Sequence, residues 1–261
     1  MITSVSNPAV KETALLQTKT KARRESGLFA VEGLRLVREV PKEDVARAFA
    51  TEAFASSEEG VSLCMRLGAE LVSEAVMARM SDTKTPQGIL AVVRQKKWTV
   101  RELLRGAGPL LVLERVQDPG NVGTLLRTAE AAGACGILMD EETADPFQPK
   151  VVRGTMGAIF RLPFAVTEDL PGTLSELKGG TCGPAVTLYA AHLEGSREYD
   201  RIDYPEKAAF LLGNEGNGLS REITALADAR VRIPMVGPTE SLNVSVAGAI
   251  LLYEHLRQRR K

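Results

Sequence analysis

Residues 238–254 read PTESLNVSVAGAILLYE, and this stretch decides the fold. Ser241, Asn243 and Ser245 alternate with apolar residues. Val244, Val246, Ala247, Ala249, Ile250, Leu251 and Leu252 then cover every side of the helix that follows. A helix apolar all round belongs in a core rather than on a surface. Its start offers free backbone N–H groups and a positive dipole end, next to small hydrogen-bonding side chains. The polar cluster is either a cap alone or a cap that is also a site.

Upstream of it the chain alternates strand and helix from Leu110 onward. Leu110–Leu113, Gly136–Met139, Pro163–Val166, Ala185–Ala190, Ala208–Leu212 and Val231–Pro234 read as strands. Asn121–Ala132 (closed by Gly133), Pro149–Ala158, Pro171–Lys178 and Arg221–Ala227 (capped by Ser220) read as helices. Continuous apolar strands without alternation indicate a parallel sheet covered on both faces. Residues 1–97 form a separate, smaller α/β layer. Its helices are Val10–Lys21, Glu32–Val40, 58–67 and 73–80, and its strands are Leu28–Val31, 48–50, 69–72 and Ile89–Val93. A linker is placed at 98–108, around the short helix Thr99–Arg105 and the break Gly106-Ala107-Gly108-Pro109. The second domain is 109–261.

Composition narrows the class. Of 261 residues, 33 are Lys or Arg and 33 are Asp or Glu, so the chain is not basic throughout, although a local basic face is compatible with that balance. Cys64, Cys135 and Cys182 are widely spaced and form no CxxC pair, which argues against a disulfide framework or a zinc site. No metal is expected. The N-terminus lacks a signal-peptide core, and no apolar run reaches membrane-spanning length, so a cytoplasmic protein without membrane contact is expected.

Ligands of an open parallel sheet bind at the carboxyl ends of its strands. Three loops at such ends are rich in glycine and polar residues: Glu114–Gly123 after Leu113, Gly213–Ser220 after Leu212, and the opening stretch after Ile233-Pro234. Asp118-Pro119-Gly120 is a turn signal, and Asn121 is read as the cap of the helix that follows. Three glycines at 213, 216 and 218 let the backbone approach a ligand closely. Each loop alone is compatible with a plain turn; three together after strands are harder to explain that way. There is no P-loop, GNEGNG at 213–218 is not G-x-G-x-x-G, and His192 and His255 are the only histidines.

Taken together, these loops resemble the SpoU (TrmH-like) family of RNA ribose 2′-O-methyltransferases of the SPOUT class. Asp118–Gly123 with Arg127-Thr128-Ala129 is similar to its first motif. Gly213–Leu219 is similar to its second, and Ile233-Pro234-Met235 with Ser241–Ala247 to its third. Asp145–Phe147 and Lys150–Ala158 resemble the region between the first two. Residues Ile2–Val40, notably Ser6-Asn7-Pro8, Lys11 and Phe29–Gly33, resemble more loosely the family's substrate-binding domain, related to the ribosomal L30e fold.

The resemblance implies a parallel-sheet α/β fold with a C-terminal deep trefoil knot, preceded by the small L30e-like α/β domain. Knots are otherwise nearly absent from proteins. It implies S-adenosylmethionine as cofactor, held bent by Gly213, Asn214, Gly218, Ile233, Pro234 and Leu242. It places Asn121, Arg127, Glu215, Ser241 and Asn243 in the catalytic site, with a ribose 2′-hydroxyl attacking the sulfonium methyl group. Arg127 is the residue expected to act on that hydroxyl. An arginine base is chemically awkward, with a pKa above about 12, so binding of the target phosphate is the alternative role. Lys11, Lys19, Arg23, Arg24 and Arg153 are the expected RNA contacts, and Lys21 adds to the basic character of the first helical region. Phe29 suits a core strand better than base stacking. The family also implies a homodimer through the C-terminal domain with a shared active site. The expected substrate is 23S ribosomal RNA, with tRNA as the alternative. A non-catalytic RNA-binding relative and a Rossmann-type nucleotide enzyme are the competing readings.

Overall fold

A computed structural model describes residues 1–194 and 197–260, which fall into two compact units. Met1–Lys96 groups with Asp145–Phe160, and Lys97–Ala144 groups with Arg161–Lys261. The segment 145–160, expected in the C-terminal domain, thus packs with the first unit. The stretch 98–108, expected as a linker, lies in the second, where Leu103 and Leu104 are buried in its core.

In the first unit, β1 (Leu28–Glu32), β2 (Val45–Thr51), β3 (Glu70–Val72) and β4 (Ile89–Arg94) form a sheet in the order β1-β4-β2-β3. β4 runs antiparallel to β1 and β2, while β2 and β3 are parallel. The first helix, Pro8–Thr18, starts where the Asn7 side chain accepts the Ala9 N–H at 2.9 Å, with proline in the first turn.

That helix does not run on to Lys21. Lys19 is extended, and a second helix, Thr20–Ser26, follows. The break lets Arg23 reach back to the Leu16 carbonyl (2.7 Å), which the ended helix leaves without an intrahelical partner. Glu32 likewise ends β1 instead of opening a helix. Gly33, at φ 89°, makes the turn into the helix Leu34–Glu39.

Among the described residues the second unit carries seven strands: β5 (Leu110–Leu113), β6 (Gly136–Asp140), β7 (Phe164–Thr167), β8 (Thr187–Ala191), β9 (Arg197–Glu198), β10 (Ala208–Leu212) and β11 (Ala229–Arg232). Their order is β7-β6-β5-β10-β8-β11-β9, and every pair is parallel. All five residues of the central β10 are buried, as its unbroken apolar run requires. β11 begins earlier than its apolar residues suggest. Asp228 exchanges bonds with Leu188, its N–H donating to the carbonyl and its carboxylate accepting the N–H, both at 2.9 Å. Ile233 and Pro234 are thereby released into the following loop.

The helix Val244–Arg259 packs on β10 and on the helix Pro119–Ala131. Its burial within the chain is one-sided. Val244, Gly248, Leu251 and Leu252 are buried, whereas Val246 and Tyr253 are 46% and 49% exposed.

The contact depends on Gly248. A Cβ there would stand 2.6 Å from Leu125 Cδ2 and 2.9 Å from Leu212 Cδ1. At an ordinary helix position Gly→Ala gains up to about 1 kcal/mol. Here overpacking reverses the sign, and Gly248→Ala is predicted to destabilise by roughly 1–3 kcal/mol, read from the urea midpoint.

Candidate active site

The three polar loops meet at the carboxyl ends of β5, β10 and β11, all within the second unit. The first helix of the group begins at Pro119, and its cap is Asp118, not Asn121. The Asp118 carboxylate accepts the Gly120 and Asn121 N–H groups at 2.6 and 3.0 Å. Asp followed by Pro is the arrangement that opens a helix, since proline at the first position lacks only an N–H that would have no partner. The Asn121 side chain is therefore not used as a cap.

It bridges the other two loops instead. Asn121 Nδ2 donates to Glu215 Oε1 at 2.9 Å, and Asn121 Oδ1 accepts from Asn243 Nδ2 at 2.9 Å. Glu215 also accepts the Gln117 and Asp118 N–H groups at 3.2 and 3.0 Å. Asn243 Oδ1 accepts from the Ser245 and Val246 N–H groups and from the Ser245 hydroxyl. Asn243 is thus both a cap and a link in the chain.

Burial by itself would raise the Glu215 pKa. The hydrogen bonds from Asn121, from the Asp118 N–H, from its own N–H and from the Gln117 N–H outweigh it and hold the carboxyl below its ordinary range. The side chain is exposed at its edge, so solvent weakens each bond.

The Gly213–Ser220 loop is closed by the paired N–H and carbonyl groups of Asn214 and Gly218 and by Asn214 Oδ1, which accepts from Gly216 and Asn217. Asn214 Nδ2 donates to the Arg115 carbonyl in the first loop at 2.9 Å. Gly213 is obligatory here, because a Cβ would lie 2.1 Å from the Gly218 carbonyl carbon.

Beside this junction opens a cleft of about 460 Å³. Of the residues expected to bind a cofactor, Gly213, Asn214, Gly218, Ile233 and Leu242 line it; Pro234 is exposed and does not. Glu215, Ser241 and Asn243 also line it, and Asn121 joins it through its hydrogen bonds. Leu212, Leu219, Val244 and Leu251 give it apolar walls, and the irregular backbone at 192–194 and 213–218 gives it polar edges. A compact ligand with a flat apolar part and several hydrogen-bonding groups fits such a cleft. Arg127 is not on its wall. It is exposed on the helix Pro119–Ala131 and has no hydrogen-bond or ion-pair partner among the described residues.

Comparison with known proteins matches this architecture. Residues 108–253 match the model of the SpoU rRNA methylase family. The chain belongs to that family. Residues 7–91 match the MRM3-like substrate binding domain. The 23S rRNA (guanosine(2553)-2′-O)-methyltransferase RlmP of Bacillus subtilis (strain 168) is 35% identical over 258 residues, covering 98% of each chain. The SpoU methyltransferase AviRb of Streptomyces viridochromogenes, solved in complex with the cofactor AdoMet (S-adenosylmethionine), superposes with a TM-score of 0.89. It is 26% identical and covers 98% of this chain and 99% of its own. An AdoMet-bound rRNA methyltransferase from Sinorhizobium meliloti gives a TM-score of 0.84 at 33% identity, covering 98% and 97%. The α/β SpoU methyltransferase fold is thereby established for this family member.

Of the expected RNA contacts, Lys11 and Arg24 are exposed on the first two helices and Lys19 is exposed at the break between them. Arg23 is withdrawn from that set. It is 3% exposed, and its guanidinium is tied to Asp145 Oδ2 (2.8 Å), the Leu16 carbonyl and Thr20 Oγ1. Arg153 is half-buried and paired with Asp82 at 2.8 Å. Phe29 is buried against Phe147, with ring centroids 4.9 Å apart.

Two supporting acids escaped the sequence reading. Glu114, 4% exposed, accepts the Ser220 N–H at 2.8 Å and joins the first loop to the second. Asp140 accepts the N–H of Arg115, which holds an uncommon left-handed conformation at φ 54°. Their only sequence signal is an acid at or just past the end of an apolar strand. Among the described residues, no group of His, Cys, Asp and Glu is gathered to hold a metal ion, and no helix is long and apolar enough to cross a membrane.

Because the Glu215 pKa is depressed on folding, its tie is present above the ordinary glutamate value of about 4.3 and is lost as pH falls through the folded value. Hydrogen exchange, corrected for intrinsic rates, should show Gln117 and Asp118 protection level from pH 8 to 5 and falling only as the pH drops below the ordinary glutamate range. Glu215→Gln should lower it at every pH.

Proposed function

We propose that this SpoU family member transfers a methyl group from S-adenosylmethionine to a ribose 2′-hydroxyl of 23S ribosomal RNA. The observation that carries the reading is the Glu215–Asn121–Asn243 chain beside the 460 Å³ cleft, which joins all three family motifs at one point. The names of the RlmP and AdoMet-bound relatives support the substrate and cofactor.

Bound in the cleft, S-adenosylmethionine would supply an electrophilic methyl carbon on a sulfonium. The chain's residues do the rest. Gly213, Asn214, Gly218, Ile233 and Leu242 hold the cofactor through backbone groups and packing. The junction of Glu215, Asn121 and Asn243 fixes the loops, so the two reactants meet in one geometry. Such positioning accounts for a large part of a transfer reaction's acceleration. The deep C-terminal knot, threaded through the loops at 213–220 and 233–243, belongs to this reading. So does the cytoplasm as the compartment.

Arg127 is the residue that acts on the RNA, as a phosphate ligand or on the 2′-hydroxyl itself. It does not line the cleft of its own chain. The outward face of the helix Val244–Arg259, with Val246 and Tyr253 exposed, suits a second copy. In a homodimer through this face, Arg127 of one protomer would serve the cleft of its partner.

Incubation with unmethylated 23S rRNA and labelled S-adenosylmethionine should place the label on a ribose, leaving one linkage resistant to alkali. Label on a base, or none, would refute the proposal. Arg127→Ala should abolish transfer and leave cofactor affinity within twofold by calorimetry. Mixing inactive Arg127→Ala and Glu215→Ala homodimers under subunit exchange should restore about a quarter of wild-type activity, because one site of each heterodimer is intact. No restoration would place both residues in one subunit.

A further inference from the structure

The first unit holds a cleft of about 1000 Å³, larger than the one beside the three motifs. It is at the upper end of the range for ligand pockets, roughly 300–1,000 Å³. Arg35, Arg38, Arg153, Phe54 and Met156 are on its wall, with Gly33, Leu34 and Ile89 between them.

Two of its carboxylates are committed internally. Glu32 is 9% exposed, and its oxygens accept the N–H groups of Asp82 (2.9 Å) and Thr83 (3.0 Å) and the Gln17 amide. Glu59 pairs with Arg38 at 2.9 Å. The third, Glu39, is on the exposed rim.

The cations are less well used. Arg153 spends one nitrogen on Asp82. Its Nη1 is buried, has no hydrogen-bond partner, and stands 3.8 Å from the Glu32 carboxylate. Arg153 is thereby held on the cleft wall between two carboxylates, with its side chain 37% exposed. Arg35 is exposed and has no partner among the described residues. Met156 holds φ 50°, a left-handed conformation costly for a residue with a side chain, three positions past Arg153. Phe54 adds a half-buried aromatic ring.

We propose that this cleft takes one unstacked nucleotide of the substrate RNA, its base against Phe54 and Met156 and its phosphates on Arg35 and Arg153. An exposed arginine without a partner, a second arginine on the same wall, an aromatic face and room for a base are the combination by which proteins take single-stranded nucleotides. The inference rests on the proposed RNA substrate. It adds a second point of attachment, with its own residues, on a different unit from the methyl-transfer cleft.

The test uses the full chain and deproteinised 23S rRNA transcribed without modification. Filter binding should show Arg35→Ala and Phe54→Ala each weakening the RNA Kd by about tenfold. KM for RNA should rise in parallel, while kcat at saturating RNA and the S-adenosylmethionine Kd stay within twofold. Arg35→Ala should lower the salt slope of binding by about one. Phe54→Tyr, which keeps the aromatic face, should bind like wild type. Arg47→Ala, an exposed arginine elsewhere in the same unit, should have little effect.

Equal loss in Arg47→Ala, or none in Arg35→Ala and Phe54→Ala, would overturn the proposal. Wild-type RNA binding by both variants, with loss only for free nucleoside 5′-monophosphates, would make the cleft a metabolite site and overturn it. Loss only with the intact large ribosomal particle would make it a protein-docking surface and overturn it equally. Failure of the wild type to methylate rRNA at all would count against the function proposed above. The binding comparison would still decide the cleft.

Discussion

A carboxylate can only accept hydrogen bonds, and that constraint orders the junction of the three loops. Because Glu215 can only accept, the Asn121 amide must turn its nitrogen toward it. The Asn121 oxygen is then left to accept from Asn243 Nδ2, and the Asn243 oxygen must face the N–H groups that open the last helix. One ionised group thereby fixes the orientation of two amides, the one bonded to it directly, Asn121, lying 94 residues away in sequence. Reversing either amide would set donor against donor. The chain runs from the loop after β10, through the helix after β5, to the helix after β11. The sheet delivers these three elements to one edge because its strands are parallel and every loop of this kind leaves at the same end.

The supporting packing works on the same principle of close approach. Gly248 lets the last helix lie against Leu125 and Leu212, so the capped start of that helix is held where Asn243 can reach Asn121. Gly213 lets the second loop fold back on Gly218, and Glu114 fastens the loop's far end through Ser220. The polar chain and the apolar contacts are two parts of one construction. The hydrogen bonds near the surface are individually modest, about 0.5–1.5 kcal/mol net, and the buried helix contact keeps their partners within reach.

Much of this was legible in the sequence, and the exceptions have physical causes. The apolar runs of β5, β6 and β10 named themselves as buried parallel strands, and two of the three loops were read directly after β5 and β10. The family resemblance rested in part on residues that line the cleft, those of Gly213–Leu219 and Ser241–Val244. Asn121 was misread as a cap because Asp118-Pro119 three residues earlier is the stronger helix start. Arg23 was grouped with its basic neighbours, although a guanidinium that finds a carboxylate and a helix-end carbonyl is drawn inward. The packing of 145–160 with the first unit has no local signature, because it depends on Phe147 and Phe160 meeting Phe29. Helix Val244–Arg259 reads as apolar all round, yet sequence cannot say which apolar face another copy would cover.

The central claim is that Glu215 and Asn243 act as one unit through Asn121, which is hydrogen-bonded to both. A double-mutant cycle on S-adenosylmethionine affinity, measured by calorimetry for wild type, Glu215→Ala, Asn243→Ala and the double variant, tests it most directly. Strong coupling is predicted: the double variant binds about as weakly as the worse single one, with an interaction energy on the order of 1 kcal/mol. Losses that add to within about 0.3 kcal/mol would show two independent side chains and contradict the account.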